Sequence, residues 1–327
     1  MLKIDTKDRK LLYYLSHNAR ESHTQLSKKI GLSKNSVKYR IERLRRLGVI
    51  EHFATTVNLG AIDQNTFTIL LKFNEDIYEN KAIVKFFELH PYSDWVITLS
   101  GQWDLFVEMI ADTINDVHDR VHEIVSNFQH SLNTYQIYFS SDVLRVEHLI
   151  EDIYKGLDLP EITRAPRAKP GHKVDNTDRK ILYELNKDSS ASYLHISQKL
   201  GLTIDIVRYR IKNLIEKGII VKFFPEINLQ KLGYSKYIYI IKLKNTSAEK
   251  MQKLRNSISN NHKVTYAFID LLSYNLIFSC AFKNTEEIDA LSRSLRKNFD
   301  DIIRSQEYLI VKEQVLFNLF PKGLLTE

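Results

Sequence analysis

Cysteine occurs once in the 327 residues, at Cys280, which excludes an intrachain disulfide framework and any multi-cysteine zinc site. Cys280 lies in the apolar run Leu276 to Phe282 and reads as a small buried hydrophobe. Proline and glycine are scarce, six and ten residues, which rules out collagenous or broadly disordered chains. No apolar run nears the roughly 18 residues of a membrane span, and Met1-Leu2-Lys3-Ile4-Asp5 turns charged at once, so neither a spanning helix nor a signal peptide is expected. The expectation is a soluble, cytoplasmic protein. A glycine-rich phosphate loop and a nucleophile elbow are also missing, so hydrolase and nucleotide-binding readings have no foothold, and the chain is not expected to be an enzyme or to carry a cofactor. What is present, 43% apolar and 27% charged residues, suits two to four packed domains.

The chain repeats itself. Lys3-Ile4-Asp5-Thr6-Lys7-Asp8-Arg9-Lys10-Leu11-Leu12-Tyr13 recurs 170 residues later as Lys173-Val174-Asp175-Asn176-Thr177-Asp178-Arg179-Lys180-Ile181-Leu182-Tyr183. The match continues through Gly31-Leu32-Ser33 against Gly201-Leu202-Thr203 and Gly48-Val49-Ile50 against Gly218-Ile219-Ile220. With one extra residue in the second copy, Trp103-Asp104-Leu105 then aligns with Tyr274-Asn275-Leu276. A period this long requires complete domains in each copy rather than solenoid turns. The copies are separated by a stretch holding Pro160, Pro166 and Pro170, expected to be an extended, semi-rigid connector. The expected division is 1–60, 61–150, a linker at 151–172, 173–230 and 231–327.

Within one copy, Leu11, Leu12 and Leu15 fall at helical spacing after the N-cap candidate Asp5, with Asp8 in the first turn. A short second helix from Thr24 ends at Gly31, and Ser33 caps a third whose buried stripe is Val37, Ile41 and Leu44, stopped by Gly48. Two helices joined by Gly31-Leu32-Ser33 form a helix-turn-helix, and the β-prone residues Val49 to Val57 read as a wing. Residues 1–60 carry a net charge of +8, whereas residues 61–150 carry −9. A cationic body of this kind is the footprint of phosphate neutralisation, although a merely solvated basic face is the plain alternative. The candidate DNA contacts are Ser33, Lys34, Asn35, Ser36, Lys38, Tyr39, Arg40 and Arg43, with Arg208, Tyr209 and Arg210 from the second copy.

Beyond the wing the pattern becomes strand Thr66–Phe73, helix Asn80–Leu89, strands Trp95–Leu99 and Trp103–Ile110, helix Asp116–Phe128 and strand Thr134–Phe139. The second copy repeats this order, closing with a strand at Glu307–Val311. The fold class is therefore α+β, with two winged helix-turn-helix domains and two ferredoxin-like βαββαβ domains in tandem. Helices cover only one face of such a sheet, so the two sheets of one chain can pair with each other.

Asp5-x-x-Asp8-x-x-x-Leu12-x-x-Leu15, the run from Gly31 through Val37, Arg40 and Leu44 to Ile50, and Gly101-Gln102-Trp103-Asp104 together resemble the Lrp/AsnC (feast/famine) transcription regulators, over nearly the whole chain twice. The resemblance implies double-stranded DNA as partner and dimerisation through the β-α domain, here within one chain as a covalent pseudo-dimer; further association of chains is left open. It also implies a small amino-acid-like effector near Gly101, Trp103 and Asp104. The copies differ at both places: Lys34-Asn35-Ser36 is matched by Ile204-Asp205-Ile206, and the second loop, Leu272-Ser273-Tyr274-Asn275, lacks the glycine and the carboxylate. Copy one is thus expected to read most sequence, with copy two reading another half-site or making protein contacts.

Siroheme decarboxylases resemble the same architecture and are the enzymatic alternative, favoured by Tyr266, Tyr274 and the basic last domain. Against them, Tyr266-Ala267-Phe268 lacks the histidine expected there, and the +8 segment would go unexplained. A partner that titrates regulators without binding DNA is a third class. His118 and His122 stand at metal-binding spacing, but a solvated helix face is the simpler reading and no metal is assigned.

Overall fold

The computed structural model describes residues 2–161, 170–244 and 247–325. Copy one contains α1 (Thr6–His17), α2 (His23–Ile30), α3 (Lys34–Arg46), β1 (Ile50–Val57), β2 (Asn65–Phe73), α4 (Lys81–Leu89), β3 (Ser93–Ser100), β4 (Leu105–Ala111), α5 (Ile114–Asn127) and β5 (Leu132–Val146). Copy two repeats it as α6 (Asn176–Lys187), α7 (Tyr193–Leu200), α8 (Ile204–Glu216), β6 (Ile220–Ile227), β7 (Ser235–Leu243), α9 (Ala248–Ser259), β8 (Val264–Asp270), β9 (Leu276–Phe282), α10 (Thr285–Phe299) and β10 (Ile303–Phe317). Residues 162–169 of the proline-bearing connector lie outside the described residues, and its start is packed rather than extended, with Ile153 buried against the helix-turn-helix core.

Local chemistry sets the helix boundaries. Asp5 accepts from the Asp8 backbone N–H at 2.8 Å while Asp8 accepts from that of Asp5, a reciprocal cap on α1. Gly31 ends α2 at φ +69°, a conformation costly for residues with a Cβ, and Ser33 caps α3 by accepting from Ser36 N–H.

The strand expected as a wing has a different partner from a free wing. β1 pairs antiparallel with β6, its own counterpart, with Ala54 opposite Phe224, Phe53 opposite Pro225 and Thr55 opposite Phe223. Since 224 is 54 displaced by the repeat offset, the pseudo-two-fold axis passes through that pair. α1 packs on β6 and α6 on β1, so Leu12, Val37, Leu44, Leu182, Val207 and Leu214 belong to one shared apolar core. The two helix-turn-helix units are thus packed as one body around a core drawn from both copies.

The βαββαβ sheets join in the same symmetric way. β3-β4-β2-β5 continues into β8-β9-β7-β10 and closes, because β5 pairs with β8 and β10 with β3. The last strand of each copy is 15 residues long, well over twice the expected Thr134–Phe139 and Glu307–Val311. β5 serves β2 with Leu132–Phe139 and then, from Ser140, serves β8; β10 likewise passes from β7 to β3 near Ile310. Register shifts in each second half bend the strand from one sheet into the other. Leu70, Trp95, Ile97, Phe106, Ile238, Phe268, Ile277 and Leu309 fill the interior, while α4, α5 and α9, α10 cover the outer faces. The apolar sheet faces thus bury each other, and closure removes the free edges.

Candidate nucleic-acid interface

α3 buries Val37, Ile41 and Leu44 and leaves Lys34, Asn35, Lys38 and Tyr39 exposed along its first two turns, with Ser36 half-buried. Lys38 lies 3.8 Å from Glu42, and Arg45 and Arg46 extend the cationic strip toward the C-terminus. Ser33 spends its hydroxyl on the cap and the neighbouring Ser36 hydroxyl.

Three of the predicted contacts, Arg40, Arg43 and Arg210, are paired with carboxylates of the fold itself. Arg40 donates to both carboxylate oxygens of Asp5, at 2.9 and 2.8 Å, and to Asp8 Oδ1 at 2.7 Å. Arg43 donates to the other oxygen of Asp8, whose side chain is fully buried. In copy two, Arg210 repeats the clamp on Asp175 and Asp178, at 2.7 and 2.9 Å, and Asn213 stands where Arg43 would be. These guanidiniums pin each recognition helix to the first helix of its unit. The carboxyl of Asp5 is held below its ordinary value: burial opposes ionisation, but the Asp8 N–H and the Arg40 guanidinium outweigh it.

α8 carries a different surface. Ile204, Ile206 and Tyr209 are exposed, and Arg208 pairs with Asp205 at 3.2 Å on the same helix.

The loop expected to meet an effector is tied into the fold. Gly101 has φ +131°, and a Cβ there would meet Leu309 at 3.4 Å. Trp103 is buried in the barrel. Asp104 accepts from Lys72 Nζ at 2.7 Å through one oxygen and from the Phe73 N–H at 2.8 Å through the other. In copy two Asn275 keeps an acceptor, for the Leu243 N–H, while Tyr274 takes φ +53° and projects to solvent with Leu271 and Leu272.

His118 and His122 are exposed, and His118 contacts Asp119 at 3.2 Å. Among the described residues no group of three His, Cys, Asp or Glu side chains could hold a metal ion, and no helix is long and apolar enough to cross a membrane. Cys280 is buried among apolar neighbours, and burial pushes its thiol upward.

The barrel also holds a buried polar cluster contributed by both copies. Glu108 of β4 and Asp94 of β3 lie inside the barrel, and the Tyr266 hydroxyl donates to Glu108 Oε2 at 3.2 Å. Asp94 sits at a register shift between Ser93 and Trp95, where the pleat alternation breaks, so period-two reading cannot place it. Burial pushes Glu108 up to about 7, and burial together with the Glu108 charge raises Asp94.

A winged helix-turn-helix DNA-binding family model matches residues 4–51 and 174–221, the two three-helix segments with the start of the strand after each. An uncharacterized HTH-type transcriptional regulator of Pyrococcus furiosus is 30% identical over 152 residues, which is 46% of this chain and 99% of that one. The chain belongs to the Lrp/AsnC-type family of helix-turn-helix regulators. The HTH-type transcriptional regulator FL11 of Pyrococcus abyssi is 31% identical over 118 residues, 36% of this chain and 76% of that one. The crystal structure of the siroheme decarboxylase NirDL superimposes along nearly the full length, with TM-score 0.64, 12% identity and 96% of each chain covered. At that identity the likeness to NirDL is one of fold: four domains in tandem, shared between an Lrp/AsnC-type chain and an enzyme.

Proposed function

We propose that this protein is a sequence-specific, double-stranded-DNA-binding transcription regulator that acts as an intrachain pseudo-dimer, with copy one supplying most of the electrostatic grip. The observation that carries the reading is the exposed strip Lys34, Asn35, Lys38 and Tyr39 on a capped, clamped recognition helix within a segment of net charge +8. Amides and hydroxyls reach base edges there, and cations reach phosphates. The test is a binding titration at fixed salt, with duplexes recovered by genomic footprinting. Lys34→Ala and Lys38→Ala should weaken binding more than Arg208→Ala; equal losses overturn the assignment to copy one, and the absence of discrete footprints overturns the regulator reading.

The turn at Gly101, Trp103 and Asp104 is where an amino-acid-like effector would meet copy one, and its amine would have to displace Lys72 from Asp104. A screen of amino acids at millimolar concentration for a thermal shift tests this; no shift removes the effector.

The competing reading is a tetrapyrrole-carboxylate enzyme on the same fold, supported by the full-length likeness to NirDL in architecture alone. Tetrapyrrole absorbance in the purified protein, together with absent footprints, would reverse the order.

A further inference from the structure

The two recognition helices are held as one body yet present unlike chemistry. The register through Ala54 and Phe224 and the shared core fix α8 relative to α3, and Gly201 at φ +65°, the Thr203 cap and the Arg210 clamp give α8 the same local geometry as its counterpart. The exposed faces diverge. Lys34, Ser36, Arg45 and Arg46 of α3 are replaced on α8 by Ile204, Ile206, Ile215 and Glu216. Ile204 and Ile206 are 38% and 42% exposed and Tyr209 is 70% exposed. The remaining charges of α8 pair off along the helix, Arg208 with Asp205 and Lys212 with Glu216, at 3.2 and 3.6 Å; α3 has one such pair, Lys38 with Glu42 at 3.8 Å, and carries Lys34, Arg45 and Arg46 in excess of it.

A helix with this face has little to offer phosphates. Its apolar residues lie in the first turn, the part of a recognition helix that meets base edges, and the apolar group a major groove offers them is the thymine 5-methyl. We infer that the target is a composite, non-palindromic duplex, with one half read by the polar and cationic face of α3 and the other a thymine-rich half read by Ile204 and Ile206 of α8. The inference rests on the DNA-binding reading above. α8 needs no electrostatic grip of its own, because α3 anchors the complex and the rigid β1–β6 pairing delivers α8 at high effective concentration. Its contribution is therefore sequence preference with almost no salt dependence, whereas that of α3 carries the salt dependence.

The test starts from duplexes selected out of a random pool by the full chain. An asymmetric consensus with a thymine-rich half is expected. Replacing thymine by uracil in that half removes only the 5-methyl groups and should weaken binding about fourfold per contacted methyl. The Ile204→Ser, Ile206→Ser double variant should lose this sensitivity while keeping its preference for the other half, its salt slope and its melting temperature. A palindromic consensus, indifference to uracil, or a double variant that selects the same sequences as the parent overturns the inference, and the last would make α8 a protein-contact surface. In each of those results the α3 half is still selected; if no duplex is enriched at all, the DNA-binding reading fails with it.

Discussion

The hydroxyl of Tyr266 donates to Glu108 Oε2 at 3.2 Å across the barrel interior, joining a strand of copy two to a strand of copy one. Glu108 is raised to about 7 from an ordinary value of 4.5, first by burial. The folded chain therefore holds a proton that the unfolded chain releases near 4.5. The stabilisation is fully present below that pH and is lost as pH rises toward and through 7, at about 1.4 kcal/mol per pH unit for one retained proton. Asp94 is shifted in the same direction. Melting temperatures measured from pH 5 to 8 should fall with rising pH, and Glu108→Gln should flatten the slope. A profile unchanged by the substitution would remove Glu108 as its source.

The basic residues of α3 divide into exposed cations and struts of the fold. Lys34→Ala should lower the slope of log affinity against log salt by about 0.9, the value for one lost phosphate contact, and leave the melting temperature alone. Arg40→Ala should leave that slope unchanged and lower the melting temperature, since Asp5 and Asp8 lose their shared partner. Asp8→Asn should cost about 3 kcal/mol, because its fully buried carboxylate holds both Arg40 and Arg43. Salt-titrated binding beside thermal denaturation separates the two roles.

Equivalent loop positions should respond unequally to truncation. Trp103 is buried in the barrel, so Trp103→Ala should cost about 3–5 kcal/mol. Its counterpart Tyr274 is 61% exposed, and Tyr274→Ala should change stability by less than about 1 kcal/mol. Chemical denaturation of the two variants checks this, and equal losses would contradict the asymmetry of the loops.

Asp104→Asn should be better tolerated than Asp104→Ala. Asparagine retains an acceptor for the Phe73 N–H, as Asn275 does for the Leu243 N–H in copy two, and loses only the contact to the partly exposed Lys72. A loss below about 1 kcal/mol is expected for Asn and of about 1–3 kcal/mol for Ala. Denaturant midpoints decide between them.

The duplication, the helix-turn-helix, the βαββαβ order and the inequality of Lys34-Asn35-Ser36 and Ile204-Asp205-Ile206 were all legible in the chain, because each is written in local periodicity, capping residues or direct self-comparison. Ser33, Gly31 and Asp5 announce their roles within three or four residues. Other features depend on residues far apart. The second halves of β5 and β10 find their partners only across the repeat, so the local pattern ended each strand where its own sheet ended. Arg40 and Arg43 looked like phosphate ligands because spacing along α3 cannot show that Asp5 and Asp8 stand against them. Asp94 and Glu108 meet Tyr266 because a register shift and a closed barrel bring three strands together. Sequence alone determined which elements form and which copy carries the charge. Tertiary structure alone decided which of those cations are tied down, since a guanidinium clamped onto a buried carboxylate of the first helix serves the fold, whereas one on an exposed face stays accessible.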